Sequence, residues 1–472
     1  MQGKVRIGFA PTRRNVFDPV EAGRLKQAVE AKLRAWGVDY VNLDSLNDEG
    51  LLYRLADAES VARYFLDQRV DAIFLCHCNF GTEDAGAKLA RLVGKPVLLW
   101  GPRDDAPERD GTRKRDTQCG LFATAKALRR LGVPFTYLTN SWVDSPEFAQ
   151  GFQAFLRVVA AQRAVRGARI GQLSTRPKLF WSVMVNEGEL LERFGVEMVP
   201  ATLMELKRGL EEIERGPDPE LPALVADLKS RVRFPGVGDE HLARHAALIL
   251  WQRRWAERER LNGIAIQCWS DLPTELGLWP CFANGEVTGA GIPVGCETDV
   301  HAALTGLMLQ AAADAPTFCA DLTVRHPTEE NVELLWHCGP FPSCLAAEGA
   351  EREVSGYPND PGVAGLAQWP IRGGPVTIAR LDGDRGEYSL FLGQGEGVEG
   401  PYTRGTYLWL RVGDWPLWEQ KLVYGPYIHH VTGVHGHVAP ILYEACKYLP
   451  GLRPDPVEPD AHILEAWWRR PA

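Results

Sequence analysis

Residues 295–324 read GCETDVHAALTGLMLQAAADAPTFCADLTV. The run opens in a Gly-rich turn that puts Glu297 between an apolar strand and a helix expected over 299–313. It closes on FCADLTV, an apolar strand that carries Asp321. The fold changes character inside this stretch. Upstream, short apolar strands alternate with amphipathic helices. From Pro316 onward, short alternating strands are separated by Gly, Pro and Asp turns.

Working back from Glu297, the strand Gly263–Gln267 is followed by a loop rich in Trp, Pro and Gly through Pro293. Further back, strand-like runs at Val5–Ala10, Tyr40–Leu43, Ala72–Cys76, Val97–Trp100 and Phe135–Leu138 alternate with helical patterns. That alternation predicts parallel sheets covered on both faces, with ligands at the carboxyl ends of the strands. No GxGxxG follows the first strand, so no nucleotide cofactor is indicated. Working forward, strands at 317–325, 332–337, 375–381, 387–393, 405–412 and 421–425 predict an antiparallel barrel or sandwich. The expected class is α/β: two doubly wound α/β domains followed by a C-terminal antiparallel β-barrel-like domain. The boundaries are 1–167 (flavodoxin or Rossmann-like), 168–314 (carrying Glu297) and 315–472 (carrying Asp321 and His430).

At 472 residues the chain exceeds what one core usually serves. A formal net charge of -9 argues against a nucleic-acid protein, which usually shows a basic face. No run reaches the roughly 20 apolar residues of a membrane helix. The N-terminus reads as a first strand rather than an export signal, so a cytoplasmic protein is expected. The 10 cysteines include no CxxC pair and read as free buried thiols of a reducing compartment. Cys76-His77-Cys78 alternates faces on a strand, which suits one tetrahedral ion poorly.

Each acid has an ordinary reading. Glu297 could cap the following helix, although Thr298 or Asp299 could do so instead. Asp321 could pair with Arg325 on its own strand, since an unpaired buried carboxylate is costly. The histidines weigh the other way. Four of the 11 crowd into 429–437, in IHHVTGVHGH, and His337 lies in ELLWHCG. Two carboxylates and an imidazole make an open O,O,N site that suits Mn²⁺ or Mg²⁺ and two neighbouring oxygens of a polyol.

The segment 295–324 resembles the metal-acid segment of the L-fucose and L-arabinose isomerase superfamily. IHHVTGVHGH is similar to that family's His-containing metal motif, NEGELLERFGVEMV to its mid-chain helix, and ELLWHCGPFP to a strand that carries a further metal-site histidine in the arabinose type. The resemblance covers the chain from about residue 170 onward by specific motifs, and only by architecture before that. It implies that Glu297, Asp321 and His430 bind the metal, with His337 a candidate fourth ligand and His429 a neighbour supporting the site. Mn²⁺ is the implied ion, with Mg²⁺ or Co²⁺ as alternatives. The implied reaction is aldose–ketose isomerisation through a cis-enediol, with Glu297 and Asp321 sharing the proton transfers. A homo-oligomer, commonly a hexamer, is implied as well.

The implied substrate is a hexose, 6-deoxyhexose or pentose. The loop DGTRKRDTQ (110–118) groups Arg113, Lys114 and Arg115 and could hold an anionic group on the sugar. Some members of the superfamily isomerise sulfosugars, so sulfoquinovose to 6-deoxy-6-sulfofructose is a candidate conversion. A solvated charged loop is the ordinary alternative. Arg113, Arg115 and Asn79 are therefore candidate sugar contacts, as is Trp269, whose face suits the C–H side of a sugar ring. A sugar-binding protein built on paired α/β domains is the competing reading, but it gives the acids and histidine no task. Glycoside hydrolysis needs the two carboxylates and neither the metal nor the histidines.

Overall fold

The structure, a computed structural model, describes residues 4–357 and 360–471. The chain divides into two compact units, one running to Ala160 and taking in the chain from His462, the other spanning Ala161–Ala461.

The first unit is built on β1 (Arg6–Thr12), β2 (Asp39–Val41), β3 (Ala72–His77), β4 (Val97–Trp100) and β5 (Thr136–Tyr137), in the order β2-β1-β3-β4-β5. Every pairing is parallel. All six residues of β3 are buried, as expected for a strand covered on both faces. On one face Phe9, Phe74, Trp100, Phe148 and Phe152 form an aromatic cluster, in which Trp100 stacks on Phe148 with centroids 3.8 Å apart.

The second unit repeats the winding in a shorter parallel sheet of β6 (Arg169–Leu173), β7 (Glu197–Ala201), β8 (Gly263–Ile266) and β9 (Val294–Cys296), ordered β7-β6-β8-β9. The helix Val300–Ala313 follows β9. It is apolar all round and almost wholly buried, as a helix packed on several sides must be. Leu304, Met308 and Leu309 are fully enclosed there, each worth roughly 1.5–3 kcal/mol relative to exposure.

The remaining strands are β10 (Thr317–Arg325), β11 (Val332–His337), β12 (Glu353–Tyr357), β13 (Asp360–Pro370), β14 (Gly374–Asp384), β15 (Glu387–Val398), β16 (Thr406–Arg411), β17 (His430–His435) and β18 (Leu452–Glu458). Six of them, β10-β11-β16-β15-β14-β17, close on themselves in an antiparallel barrel. Closure removes the free edges that an open sheet would expose. The hairpin β12–β13 and the strand β18 attach to its sides.

Two local expectations are corrected. Of residues 421–425, expected as a strand, the first four end a helix, Trp415–Tyr424, and Gly425 caps it. The Asp414 side chain caps it by accepting from the Leu417 N–H at 3.2 Å, Pro416 sits in its first turn, and Trp415 and Trp418, three apart, are buried. The stretch through Pro293 holds two short helices, Asp271–Leu276 and Cys281–Gly289. The second packs so closely that a Cβ on Gly285 would lie 3.1 Å from the Pro340 carbonyl, which explains its small residues.

Candidate metal centre

The carboxyl end of the second sheet is locally strained. Ser174, Ser270, Glu297 and Thr298, which follow β6, β8 and β9, adopt φ values of 64, 69, 59 and 58°. Non-glycine residues in this region each cost about 1–3 kcal/mol, and such residues concentrate at functional sites. The Glu297–Thr298 pair turns the chain sharply, so that the Thr298 N–H reaches the Ile266 carbonyl at 3.0 Å and Asp299 becomes the helix cap. Gly295 is needed beneath the turn, because a Cβ there would lie 2.2 Å from the Asp299 carbonyl oxygen.

The barrel supplies the other half. Asp321 on β10 stands directly opposite His430 on β17 in the ladder. The strand β10 passes from buried residues before Asp321 to exposed ones after Leu322, so the acid sits at the rim of the core. Arg325 is not its partner: that guanidinium donates to the Glu330 carbonyl.

The three residues expected to bind metal converge. His430 Nε2 lies 2.9 Å from Glu297 Oε2 and 3.4 Å from Asp321 Oδ1. His337 Nε2 is 4.0 Å from Asp321 Oδ1. Their potential ligand atoms form two close groups that share His430: Glu297 with His429, and Asp321 with His337. Glu297 Oε2, Asp321 Oδ1, His430 Nε2 and His337 Nε2 are all buried without a well-formed hydrogen bond. Orphans of this kind are uncommon and call for an explanation, and those on Glu297, Asp321 and His430 fit the ligand set of a cation.

The orientation of His430 supports that fit. Its Nδ1–H donates to Asp299 Oδ2 at 2.8 Å, which turns Nε2 toward the two acids. Asp299 also caps its helix and pairs with the fully buried Arg380, which in turn pairs with Asp382. Burial opposes charge on Asp299, yet Arg380 and His430 hold its carboxyl well below the usual range. Burial likewise lowers the His430 pKa, but the carboxylates of Asp299 and Glu297 beside it outweigh burial and raise it to about 10, so a bound cation would take the place of the Nε2 proton. Glu297 is desolvated too, and His430 nevertheless keeps its pKa below normal.

The neighbouring residues take distinct parts. Trp269 Nε1 donates to Glu297 Oε1 at 3.0 Å, which fixes one carboxylate oxygen and leaves the other facing the site. His337 Nδ1 accepts from the Cys338 N–H at 2.9 Å, so its Nε2 carries the proton and faces Asp321 as a donor rather than as a lone pair. His429 is exposed and packs edge-on against the His430 ring at 4.4 Å. Phe180 lies edge-on to Trp269, His429 and His430, with centroids 5.5, 6.0 and 6.2 Å away.

The other candidates lie in the first unit and are occupied by local bonds. Asn79 is fully buried, and its Oδ1 accepts from the Arg14 N–H at 2.8 Å and the Gly81 N–H at 3.1 Å. Arg115 is buried among Glu21, Asp104 and Asp105, Arg113 pairs with Asp116, and Lys114 pairs with Glu108. An anion reaching this loop would have to displace an acid from each cation.

Sequence reasoning did not single out Arg380 or Phe180, and it weighed Asp299 only as a cap. A charged residue in the apolar alternation VTIARLDG was the available signal for Arg380. Nothing local marked Phe180.

Comparison with known proteins gives the same direction. Residues 8–166 match the family model described as fucose/sulfoquinovose isomerase, N-terminal domain. Sulfoquinovose isomerases from Priestia aryabhattai and Priestia megaterium are each 25% identical over 396 residues, covering 82% of this chain and 86% of theirs. The sulfoquinovose isomerase of Alkalicoccus urumqiensis is 26% identical over 309 residues, covering 65% of this chain and 68% of its own. Among solved structures, a periplasmic solute binding protein from Actinobacillus succinogenes with bound D-allose aligns at 13% identity over 61% of this chain and 83% of its own, with a TM-score of 0.17, too slight to argue from. The matched N-terminal domain and the named sulfoquinovose isomerase relatives support an isomerase. These matches support a likeness to the fucose isomerase-like superfamily, carried over residues 8–166 by the family model and over most of the chain by the relatives. No helix among the described residues is long and apolar enough to cross a membrane.

Proposed function

We propose that the protein is a metal-dependent aldose–ketose isomerase that acts on an aldose with an anionic group at C6, sulfoquinovose being the leading candidate and 6-deoxy-6-sulfofructose its product. The observation that carries this reading is the meeting of four orphaned polar atoms on Glu297, Asp321, His430 and His337, in a chain similar to sulfoquinovose isomerases. Glu297, Asp321 and His430 would hold the cation, Mn²⁺ before Mg²⁺ or Co²⁺. Once bound, the cation would polarise the sugar carbonyl and acidify the adjacent C–H.

The remaining work falls to the side chains. With Oε1 held by Trp269, Glu297 would present Oε2 both to the cation and to the proton at C2, which it would take and pass to O1. The sugar would then be a cis-enediol, and Asp321, facing the donor on His337, would take the proton from O2 and deliver it to C1, so that both carboxylates end ionised. Phe180 and Trp269 present aromatic walls to the C–H faces of the sugar. The same reading makes the protein a cytoplasmic homo-oligomer, a hexamer by resemblance. All ten cysteines are free, as a reducing compartment requires, and Leu179 and Trp181 beside the site, 78% and 74% exposed, offer apolar area for a second copy.

The test is a panel of aldoses incubated with the metal-stripped protein and with protein resupplied with Mn²⁺, scored for ketose. Conversion should vanish on chelation and return with the ion. Equal turnover before and after stripping would end the metal reading.

A further inference from the structure

Between the strand β6 and the residues that wall the metal centre runs the segment Ser174–Phe180, tethered at both ends to that centre. At one end, the Thr298 hydroxyl, one residue from Glu297, donates to the Thr175 carbonyl at 3.3 Å. At the other, the Phe180 ring packs against Trp269, His429 and His430. The chain between these tethers is Arg176-Pro177-Lys178-Leu179, four residues bounded at each end by a contact to the metal centre's surroundings. A turn closes it, with the Phe180 N–H donating to the Pro177 carbonyl at 3.0 Å.

This short span holds two cations. Arg176 is half-buried and Lys178 exposed, and neither has a carboxylate partner among the described residues. Arg176 instead folds back, donating from Nη1 to the carbonyls of Pro177 and Lys178 at 3.2 and 3.3 Å. These are weak neutral acceptors for a guanidinium, easily given up for an anion. In the first unit, by contrast, Arg113, Lys114 and Arg115 each hold an acid.

We propose that Arg176 and Lys178 determine specificity, binding the anionic group at C6 of the substrate while O1 and O2 sit at the metal centre. The proposal rests on the isomerase reading above. Its chemistry is that of a tetrahedral oxyanion, a sulfonate or a phosphate, at the far end of a six-carbon sugar. A guanidinium meets two of its oxygens with parallel N–H donors, and an ammonium adds a flexible point charge. The tethers keep both cations on a short span joined to the metal centre's surroundings, so a sugar lacking the anion gains nothing from them.

The experiment compares kcat/KM for sulfoquinovose, for 6-phosphoglucose and for the neutral 6-deoxy sugar quinovose, in the wild type and in Arg176→Gln/Lys178→Gln. Loss of a charge-assisted hydrogen bond costs about 10–100-fold in binding. The double variant should lose about that factor more on the anionic sugars than on quinovose, mainly through KM, while its melting temperature holds. Arg176→Lys should recover part of the loss. The two anionic sugars separate a sulfonate site from a phosphate site. Equal losses on anionic and neutral sugars, or none, would overturn the assignment, as would a wild type that prefers quinovose, and both results leave the isomerase reading intact. If the wild type converts no aldose, that reading fails, and calorimetric binding of methyl α-sulfoquinovoside, which cannot open to an aldose, then decides the assignment. Binding weakened by the double variant supports it, and binding that is unchanged or undetectable rejects it.

Discussion

The two parallel sheets wind alike and end differently. At the carboxyl end of the first, Asn79 ties the turns after β1 and β3 together, Arg13 is held by Glu49 and Asn15, and Arg14 reaches Glu83. Its one buried orphan among these residues, His77 Nε2, belongs to a ring that burial keeps neutral, with a pKa lowered to about 4. At the carboxyl end of the second, the backbone is strained in four places, and Glu297 Oε2 points at unpaired atoms of the barrel. A shared topology thus says where a site could lie, and unmet hydrogen-bonding capacity says which end holds one.

The largest effect that would break this contrast is at Glu297. Replacing Glu297 with Gln keeps the shape and the Trp269 hydrogen bond while removing the base, and turnover should fall by about 10³-fold. Circular dichroism and melting should match the wild type. Retained turnover would remove Glu297 from the chemistry. Next comes Asp299→Ala, which frees the His430 ring and leaves Arg380 with one buried acid instead of two. Metal affinity should drop about 10–100-fold by titration, and stability by roughly 3 kcal/mol in denaturant melts. Smaller still is Trp269→Phe, which deletes the donor to Glu297 Oε1, and kcat should fall about tenfold with the fold intact. The same hydrogen-bond deletion in the first sheet, Asn79→Ala, should lower stability and leave kcat where it was.

How far the sequence shows this contrast depends on the range of the interactions. The strands and helices of the first sheet follow from local periodicity, and their boundaries fall within a residue or two of those expected. Glu297, Asp321 and His430 stand out by residue type, and their convergence follows from the β10–β17 register and the turn after β9. The bond from Asp299 to His430 spans 131 positions and that from Asp299 to Arg380 spans 81, so no window of sequence contains either. Residues 421–425 read as a strand because Leu422, Val423 and Tyr424 are apolar or of high β propensity, which the helix begun at the Asp414 cap overrides. The basic loop 110–118 looks like an anion site only until its acids are seen beside it: Glu21 is distant in sequence, and Asp104 and Asp105 lie on the preceding turn.

The finest test of the comparison uses an orphan outside the cluster. Glu333 on β11 is buried, and its Oε2 has no hydrogen-bond partner, yet it joins neither of the ligand groups found among the described residues. Burial, with some repulsion from Glu419, pushes its carboxyl up to about 7 against the pull of Arg325. A carboxyl whose pKa rises on folding holds its proton more tightly in the native state. Its stabilising contribution is therefore full below the ordinary glutamate range near 4.5 and is lost as pH climbs through about 7. Glu333→Gln should remove that slope: the two proteins should melt together near pH 5, and the variant should melt higher by pH 8. Turnover at fixed pH should stay within about twofold, since a surface-distant stability change of this kind leaves transition-state contacts alone. A hundredfold loss of turnover would mean that a single buried orphan suffices to mark a working residue, and convergence would lose its standing as the criterion that separates the two sheet ends.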